Sequence, residues 1–247
     1  MSESTALTNW EERLAADAKA VASTERPSVS AISLRGGMLS YMDNTMPDNK
    51  MSVVVLGNAV EHAYYTEAYD ADRVVPPSCF AIGKSNQEEA MVPHEVVPEE
   101  QRVSTSCASC PNFQWGSGRG RGKACGTRRR LALIPAVALD DIDTLSSAEI
   151  ATLKVPVTSV RNWSSYVNIV AAEHQRPPYG VITEIKVVPD AHTMFKVHFS
   201  CMGRIALDVM PQLGSLLDRA DPILTAPFEM QVEETDEKPA PKGKRKF

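Results

Sequence analysis

The chain has 247 residues, with 31 Asp or Glu against 26 Lys or Arg, a formal net charge of -5 and 43% hydrophobic residues. This composition is ordinary for a globular protein, and no apolar stretch approaches the roughly 20 residues that a membrane-spanning helix needs. The first residues also lack the basic flank and apolar core of a secretion signal. We therefore expect a soluble protein with no membrane partner.

The N-terminal residues 1–26 are predicted to form a helical arm. Thr8 can cap a helix in which apolar residues recur at helical spacing. From Pro27 onward the pattern changes to alternating apolar and polar residues, and the Gly36-Gly37 pair predicts the turn of a β-hairpin. The main domain is therefore expected to begin near residue 27.

Two further strands are predicted at 51–56 and 63–69, joined at a turn formed by Gly57-Asn58. Alternation along the second strand places Tyr65 and Tyr69 on one face. That face is either a platform on which nucleic-acid bases stack or a site of cross-strand aromatic packing.

The remaining elements complete a mainly β domain with peripheral helices, of the α+β class, over residues 27–228. The proline-rich residues 76–106 are expected to be an ordered loop that is held by something other than a core. The other predicted elements are a strand at 131–134, a helix after Ser146, a helix over 163–174 anchored by Trp163 and Tyr166, strands at 181–188 and 194–199, and a helix over 210–219 with Pro211 in its first turn. Residues 229–247, acidic and then basic, are predicted to be a disordered tail.

Three of the five cysteines lie close together in the sequence. Cys107 and Cys110 are separated by two residues, a spacing that lets both thiolates reach one tetrahedral ion at about 2.3 Å. Cys125 follows after fourteen more residues. Clustered reduced thiols are typical of an intracellular metal site rather than of a disulfide framework.

The fourth ligand of such a site has three candidates. Cys79 is favoured because Pro76 and Pro77 make a rigid approach to it, while His94 and Cys201 are the alternatives. Four protein ligands leave no open position for an activated water, so the predicted Zn²⁺ is structural and stabilises the proline-rich loop. Unrelated reduced thiols and a redox dithiol remain alternative explanations.

Positive charge is concentrated beside these cysteines. Residues 101–139 contain seven Arg or Lys and no Asp or Glu, which leaves a formal charge of -12 for the other 208 residues. Such segregation in an acidic protein indicates a local anion-binding surface. The alternative is that this basic segment is a flexible loop whose arginines partly neutralise the charge of a zinc tetrathiolate.

Glycine occupies every second position from Gly116 to Gly122, which lets backbone N–H groups approach phosphates while the intervening cations reach outward. Bases stack on aromatic side chains, so positive charge beside aromatic residues favours single-stranded nucleic acid. The candidate DNA-binding residues are Phe113, Trp115, Arg119, Arg121, Lys123, Arg128, Arg129, Arg130 and Tyr65. Ser117 and Ala124 stand where a P-loop needs glycine and Ser or Thr.

The sequence contains no pattern that supports a catalytic assignment. The five histidines are scattered, and no Ser/His/Asp or paired-carboxylate arrangement can be identified. We therefore predict that the protein is not an enzyme.

The segment from Cys107 to Leu131 resembles a family of bacteriophage proteins regarded as single-stranded DNA-binding or replication accessory proteins. The shared features are a Cys-Pro followed by Trp-Gly-Ser, a Gly-Lys-Ala-Cys element and a following Arg-Arg-Leu. A Pro-x-Cys-Phe matching residues 77–80 also belongs to the pattern, which strengthens Cys79 as the fourth ligand. The resemblance extends over about residues 29–200.

The resemblance implies an OB-like β-barrel with an inserted four-cysteine zinc loop over 76–130. It further implies sequence-tolerant binding of single-stranded DNA in phage DNA replication or recombination, in the cytoplasm of the bacterial host. The C-terminal tail would contact replication or recombination proteins. The alternative is an adaptor that uses the zinc loop to bind a protein partner such as a polymerase or nuclease.

Overall fold

The computed structural model describes residues 30–67, 75–84 and 90–228, together with residues 10, 13, 14 and 17. Apart from those four positions, the predicted arm over 1–26 lies outside the described residues. The predicted tail over 229–247 and the predicted Tyr69 position also lie outside them.

The described residues form one mixed, nine-stranded sheet. Its strands are β1 (Ser30–Ser33), β2 (Ser40–Tyr41), β3 (Asn44–Thr45), β4 (Lys50–Tyr64), β5 (Cys79–Gly83), β6 (Gly126–Pro135), β7 (Ala151–Val155), β8 (Val181–Asp190) and β9 (Met194–Arg204). The helices are α1 (Ile142–Leu145), α2 (Val160–Ile169), which continues as a π-turn over Val170–His174, and α3 (Met210–Thr225).

The strand order is β3-β2-β1-β7-β6-β4-β8-β9, with β5 also paired to β4. β1 and β7 are parallel, whereas the other described pairs are antiparallel. The long β4 pairs with β6 along one edge, and its other edge is divided between β8 at its start and β5 at its end. β4 therefore connects the β8–β9 hairpin to the part of the chain that holds the cysteines.

Each face of the sheet has its own core. Successive residues of β4 point to opposite faces, so Val53 and Val55 join one cluster while Val54 and Leu56 join the other. We call the face of Val53 the inner face, which α2 covers with Trp163 and Tyr166, both buried. The opposite, outer face is covered by α1 and by the apolar side of α3.

Gly57 in β4 permits the close approach of α3 to the outer face. A Cβ at this position would lie 2.8 Å from a methyl group of Leu224. The strand register also shifts between Val55 and Gly57. The glycine thus interrupts the regular pairing without ending the strand.

Most of the predicted elements are confirmed. The chain is mainly β with a few helices, and the hairpin around Gly36-Gly37 forms as expected. The β8–β9 hairpin also forms, but Pro189 and Asp190 are paired strand residues of β8 and the turn follows them at 191–193. Pro211 lies in the first turn of α3, and Trp163 and Tyr166 anchor α2 to the core.

Four predictions are wrong. The strand predicted over 63–69 is absent at residues 65–67, because β4 ends at Tyr64. The segment 76–106, expected to be a loop held by something other than a core, contains β5, whose Phe80 and Ala81 are buried.

No turn occurs at Gly57, because β6 pairs with β4 on both sides of it and keeps the chain extended. No helix begins after Ser146 either: residues 142–145 form α1, whose N-cap Asp141 accepts the N–H of Asp143, and Ala151–Val155 then pair with β6. Pairing with a neighbouring strand outweighed the local capping pattern.

Candidate metal centre and nucleic-acid interface

The connection between β4 and β6 contains the cysteine and glycine segments. The N-terminal half of β6 pairs with the last residues of β4, from Ala59↔Arg130 to Ala63↔Gly126. Cys79 begins β5, which pairs with the same part of β4 on its other edge, at Tyr64. Cys125 immediately precedes β6, so the two ends of the connection are fixed by the sheet.

Four cysteines line one cavity, which we call the cysteine cavity: Cys79, Cys107, Cys110 and Cys125. His62, Tyr64 and Phe113 line it as well. The backbone N–H of Cys110 donates to the carbonyl of Cys107 at 3.2 Å, which closes the tight turn between them. The N–H of Cys125 donates to the carbonyl of Asn112 at 2.8 Å and returns the chain to the cavity.

The thiols in the cysteine cavity influence one another electrostatically. Burial, together with the negative charge of the other three thiolates, raises the pKa of Cys125 to about 12, against the opposing effect of Lys123. Burial and the repulsion from Cys79 and Cys110 together raise the pKa of Cys107 to about 11. Such thiols remain protonated near neutral pH unless a cation compensates for their charge.

The donor set fits a zinc ion in its chemistry. Four thiol groups in one cavity, two of them separated by two residues, are the ligands that a closed structural zinc site uses. Within the described residues, no group of three or more His, Cys, Asp or Glu side chains is already arranged to hold a metal ion. The cavity places the four cysteines close enough for their thiolate charges to interact.

The two alternative fourth ligands lie elsewhere. His94 is stacked on Phe80, with ring centroids 5.0 Å apart, and its Nδ1 accepts the N–H of Val96. Cys201 lies in β9 and packs against the inner-face core. Neither residue lines the cysteine cavity, whereas Cys79 does.

The glycine loop, residues 113–123, is folded by its own backbone hydrogen bonds. The N–H groups of Gly116 and Gly118 both donate to the carbonyl of Gly122 at 3.0 Å. A Cβ on Gly118 would lie 2.8 Å from the Lys123 carbonyl group, so close approach requires glycine there. The N–H groups of Gly116 and Gly118 therefore bond within the loop, contrary to the expectation that the glycine N–H groups face phosphates.

The aromatic residues of the loop differ in exposure. Trp115 is 79% exposed and offers an open ring face. Phe113 is half-buried, and its ring centroid lies 4.3 Å from that of His62. The ammonium of Lys123 lies 3.5 Å from the Phe113 centroid and 5.2 Å from that of Trp115, in cation–π contact.

The cations of the loop and of β6 are not equivalent. Arg119 and Arg121 are exposed on the loop. Alternation along β6 places Arg128 and Arg130 on the outer face and Arg129 on the inner face. Arg128 donates to the hydroxyl of Tyr65 at 3.2 Å and lies over its ring, so Tyr65 is fixed beside a cation.

Arg130 is buried, contrary to its expected role as a DNA contact. Its guanidinium forms a 2.9 Å ion pair with Glu61, and the side chains are 6% and 0% exposed. It also donates to the carbonyls of Leu224 and Ala226, at the end of α3. Its charge is thus used inside the protein, and we leave it out of the candidate interface.

Two further residues near β6 escaped the sequence analysis. Lys154 of β7 pairs in register with Arg130 and therefore lies on the outer face. Partial burial lowers the pKa of Lys154, Glu61 raises it, and Arg130 and Arg128 lower it further. Phe228 contacts both Lys154 and Arg130 through its ring. The sequence alone does not indicate that Lys154 and Phe228 lie beside Arg130, because they are far from it along the chain and meet it only in the folded protein.

In comparisons with known proteins, no family model, no curated protein and no solved structure matches the chain. In the described part of the chain, no helix combines the length and the apolar composition needed to cross a membrane. Functional conclusions therefore rest on the geometry of the residues described above.

Proposed function

We propose that the protein is a zinc-stabilised, sequence-tolerant single-stranded DNA-binding protein that supports phage DNA replication or recombination. The observation that carries the proposal is the glycine loop, where exposed Trp115 stands beside exposed Arg119 and Arg121 on a segment free of acidic residues. Cationic side chains neutralise phosphates and an open aromatic face stacks a base, which together suit a flexible single strand.

The strand order supports an OB-like barrel as the scaffold. β4, β6, β7, β8 and β9 lie in the order β7-β6-β4-β8-β9, with α2 between β7 and β8. If β4, β6, β7, β8 and β9 are numbered 1 to 5 in chain order, their order in the sheet is 3-2-1-4-5. An OB barrel has this strand order, and it also has a helix between strands 3 and 4. The departure is at β7, whose second edge pairs with β1, where an OB barrel would close through its fifth strand.

This correspondence gives the glycine loop a functional position. The connection between β4 and β6 then equals the loop between OB strands 1 and 2, which commonly contacts oligonucleotides. The cysteines and the glycine loop form an elaboration of that loop. A strand of DNA would contact Trp115, Arg119 and Arg121, followed by Tyr65 and Arg128 at the start of β6.

A zinc ion, when bound by Cys79, Cys107, Cys110 and Cys125, would supply folding free energy to this elaboration. Hydrogen bonds of the Ser117 side chain also hold the glycine loop in place. The single hydroxyl hydrogen of Ser117 is shared between the carbonyls of Asn112 and Gln114, and the hydroxyl oxygen accepts the N–H of Ala124. The base of the glycine loop is therefore tied to the residues that follow Cys110.

The test is a fluorescence titration with oligo(dT) at several salt concentrations. Binding to single strands weakens with salt, with a slope of log K against log salt near -0.7 per neutralised phosphate. The Arg119→Ala, Arg121→Ala double variant should reduce the magnitude of that slope by about 1.4. Arg128→Ala should weaken binding to all sequences.

Lys186→Ala is the matched control. Lys186 is exposed on β8 and pairs with Lys50 at the start of β4, the end of that strand remote from the glycine loop. Its removal changes the net charge by the same amount as one arginine but should leave the slope almost unchanged. Equal effects of Lys186→Ala and Arg119→Ala would contradict the proposed interface.

The second candidate is an adaptor that binds a polymerase or nuclease through the same loop. A single highly exposed tryptophan beside arginines also resembles the centre of a protein interface. An adaptor would bind its partner without oligonucleotide, and its Trp115 fluorescence would not respond to oligo(dT). A nuclease, by contrast, would degrade the oligonucleotide when magnesium is added.

A further inference from the structure

The residues that follow α3 cross the outer face of β6 and β7. Arg130 donates a hydrogen bond to the carbonyl of Leu224 at 3.4 Å and another to the carbonyl of Ala226. These bonds hold the end of α3 beside the strand pair. They direct Phe228 toward the cationic side chains of the outer face.

The ring of Phe228 is surrounded by two cations and an aromatic ring. The Lys154 ammonium lies 4.2 Å from its centroid and the Arg130 guanidinium carbon lies 5.4 Å away. Phe80 meets it edge to face, with centroids 4.9 Å apart. Phe80 is fully buried while Phe228 is half-buried, so the ring fills a slot whose other side is open to solvent.

The charge around this slot exceeds what the described residues compensate. Arg128, Arg130 and Lys154 share the outer face, and Glu61 pairs with Arg130. Neither Lys154 nor Arg128 forms an ion pair with a described residue. Glu61 Oε1 is buried and accepts no hydrogen bond from a described residue. The Phe228 ring contacts Lys154 through its π electrons, but it carries no negative charge that could form an ion pair with Lys154 or Arg128.

We propose that the slot filled by Phe228 is a nucleobase-binding subsite, and that a base of single-stranded DNA replaces the Phe228 ring when the strand binds. The inference rests on the proposed function and extends its interface to the outer face of β6 and β7. A base presents a flat π face to Lys154 and can pack edge to face with Phe80, as the phenyl ring does. Its adjoining phosphates add ion pairs with Lys154 and Arg128 that a phenyl ring cannot provide.

Phe228 then competes with the DNA base for the slot. A ligand for a partly closed site binds with an apparent affinity reduced by the fraction of molecules in which the site is open. Removing the ring should raise that fraction. Loss of the ring's two cation–π contacts and one edge-to-face contact corresponds to oligo(dT) binding about fivefold to tenfold tighter.

The experiment compares oligo(dT) dissociation constants of the full chain and three variants. Phe228→Ala should bind about fivefold to tenfold tighter than the unsubstituted protein, and adding Lys154→Ala should abolish the gain. Pro227→Ala is the matched control, since its side chain is exposed in the same segment and the Phe228 ring is retained. It should bind as the unsubstituted protein does.

A second measurement needs no variant. Chymotrypsin cleaves after phenylalanine, and displacement of the ring should make cleavage at Phe228 faster when oligo(dT) is bound. Unchanged or weaker binding by Phe228→Ala, or slower cleavage at Phe228 with oligo(dT), overturns the subsite. If the unsubstituted protein binds oligo(dT) through Arg119 and Arg121 in that case, the proposed function stands. If no form of the protein binds, both proposals fall.

Discussion

The buried ion pair between Glu61 and Arg130 should contribute strongly to stability, and the substitution Glu61→Gln tests this. The change leaves the Arg130 guanidinium buried with no opposing charge, although the carbonyls of Leu224 and Ala226 still accept its hydrogen bonds. Removing one partner of a buried pair costs about 3–5 kcal/mol. Because those carbonyls remain and glutamine also offers an acceptor, we expect about 3 kcal/mol.

The same strand provides a matched control. Lys50 forms an ion pair with Glu184 at 3.7 Å, and these side chains are 44% and 22% exposed. Exposed pairs contribute at most about 1 kcal/mol because water screens both charges. Glu184→Gln should therefore lower the free energy of unfolding by less than about 1 kcal/mol.

Urea denaturation measures both losses. For slopes of about 2–3 kcal/mol per molar urea, a loss of about 3 kcal/mol moves the midpoint by roughly 1 M. Replacing both Glu61 and Arg130 with methionine should recover part of that loss, since apolar residues of similar volume remove the buried charge. Equal destabilisation by Glu61→Gln and Glu184→Gln would refute the reasoning.

Three further predictions concern the cysteine cavity and the glycine loop. Elemental analysis should find one zinc per chain, lost in Cys79→Ser and retained in His94→Ala; loss only in the histidine variant would exclude Cys79. Trp115→Ala should weaken oligo(dT) binding by about 1–3 kcal/mol, the contribution of one stacked base, and an unchanged dissociation constant would remove this residue from the interface. Gly118→Ala should weaken the same binding because its Cβ meets the Lys123 backbone at 2.8 Å, whereas Gly214→Ala, with open space and a helical position, should leave binding unchanged.

The sequence predicted the features that depend on neighbours along the chain. Alternation and the Gly36-Gly37 pair indicated a hairpin, and Pro211 marked the first turn of α3, because turn and helix-end preferences are set by a few consecutive residues. The spacing of Cys107 and Cys110 likewise predicted that two thiols share one turn.

The sequence failed where a distant strand decided the outcome. Gly57 carries a turn preference, yet pairing with β6 on both sides keeps β4 continuous. Ser146 resembles a helix start, yet residues soon after it join the sheet as β7. Local preferences are worth less than the hydrogen bonds and apolar burial that an added strand contributes.

The candidate interface was likewise predictable from the sequence only in part. Composition alone located positive charge and aromatic residues within 101–139. It could not separate three consecutive arginines: Arg128 lies beside Tyr65, Arg129 is on the opposite face, and Arg130 is buried against Glu61. Only strand pairing decides these environments, because consecutive residues of a strand point to opposite faces and each face packs against different parts of the chain.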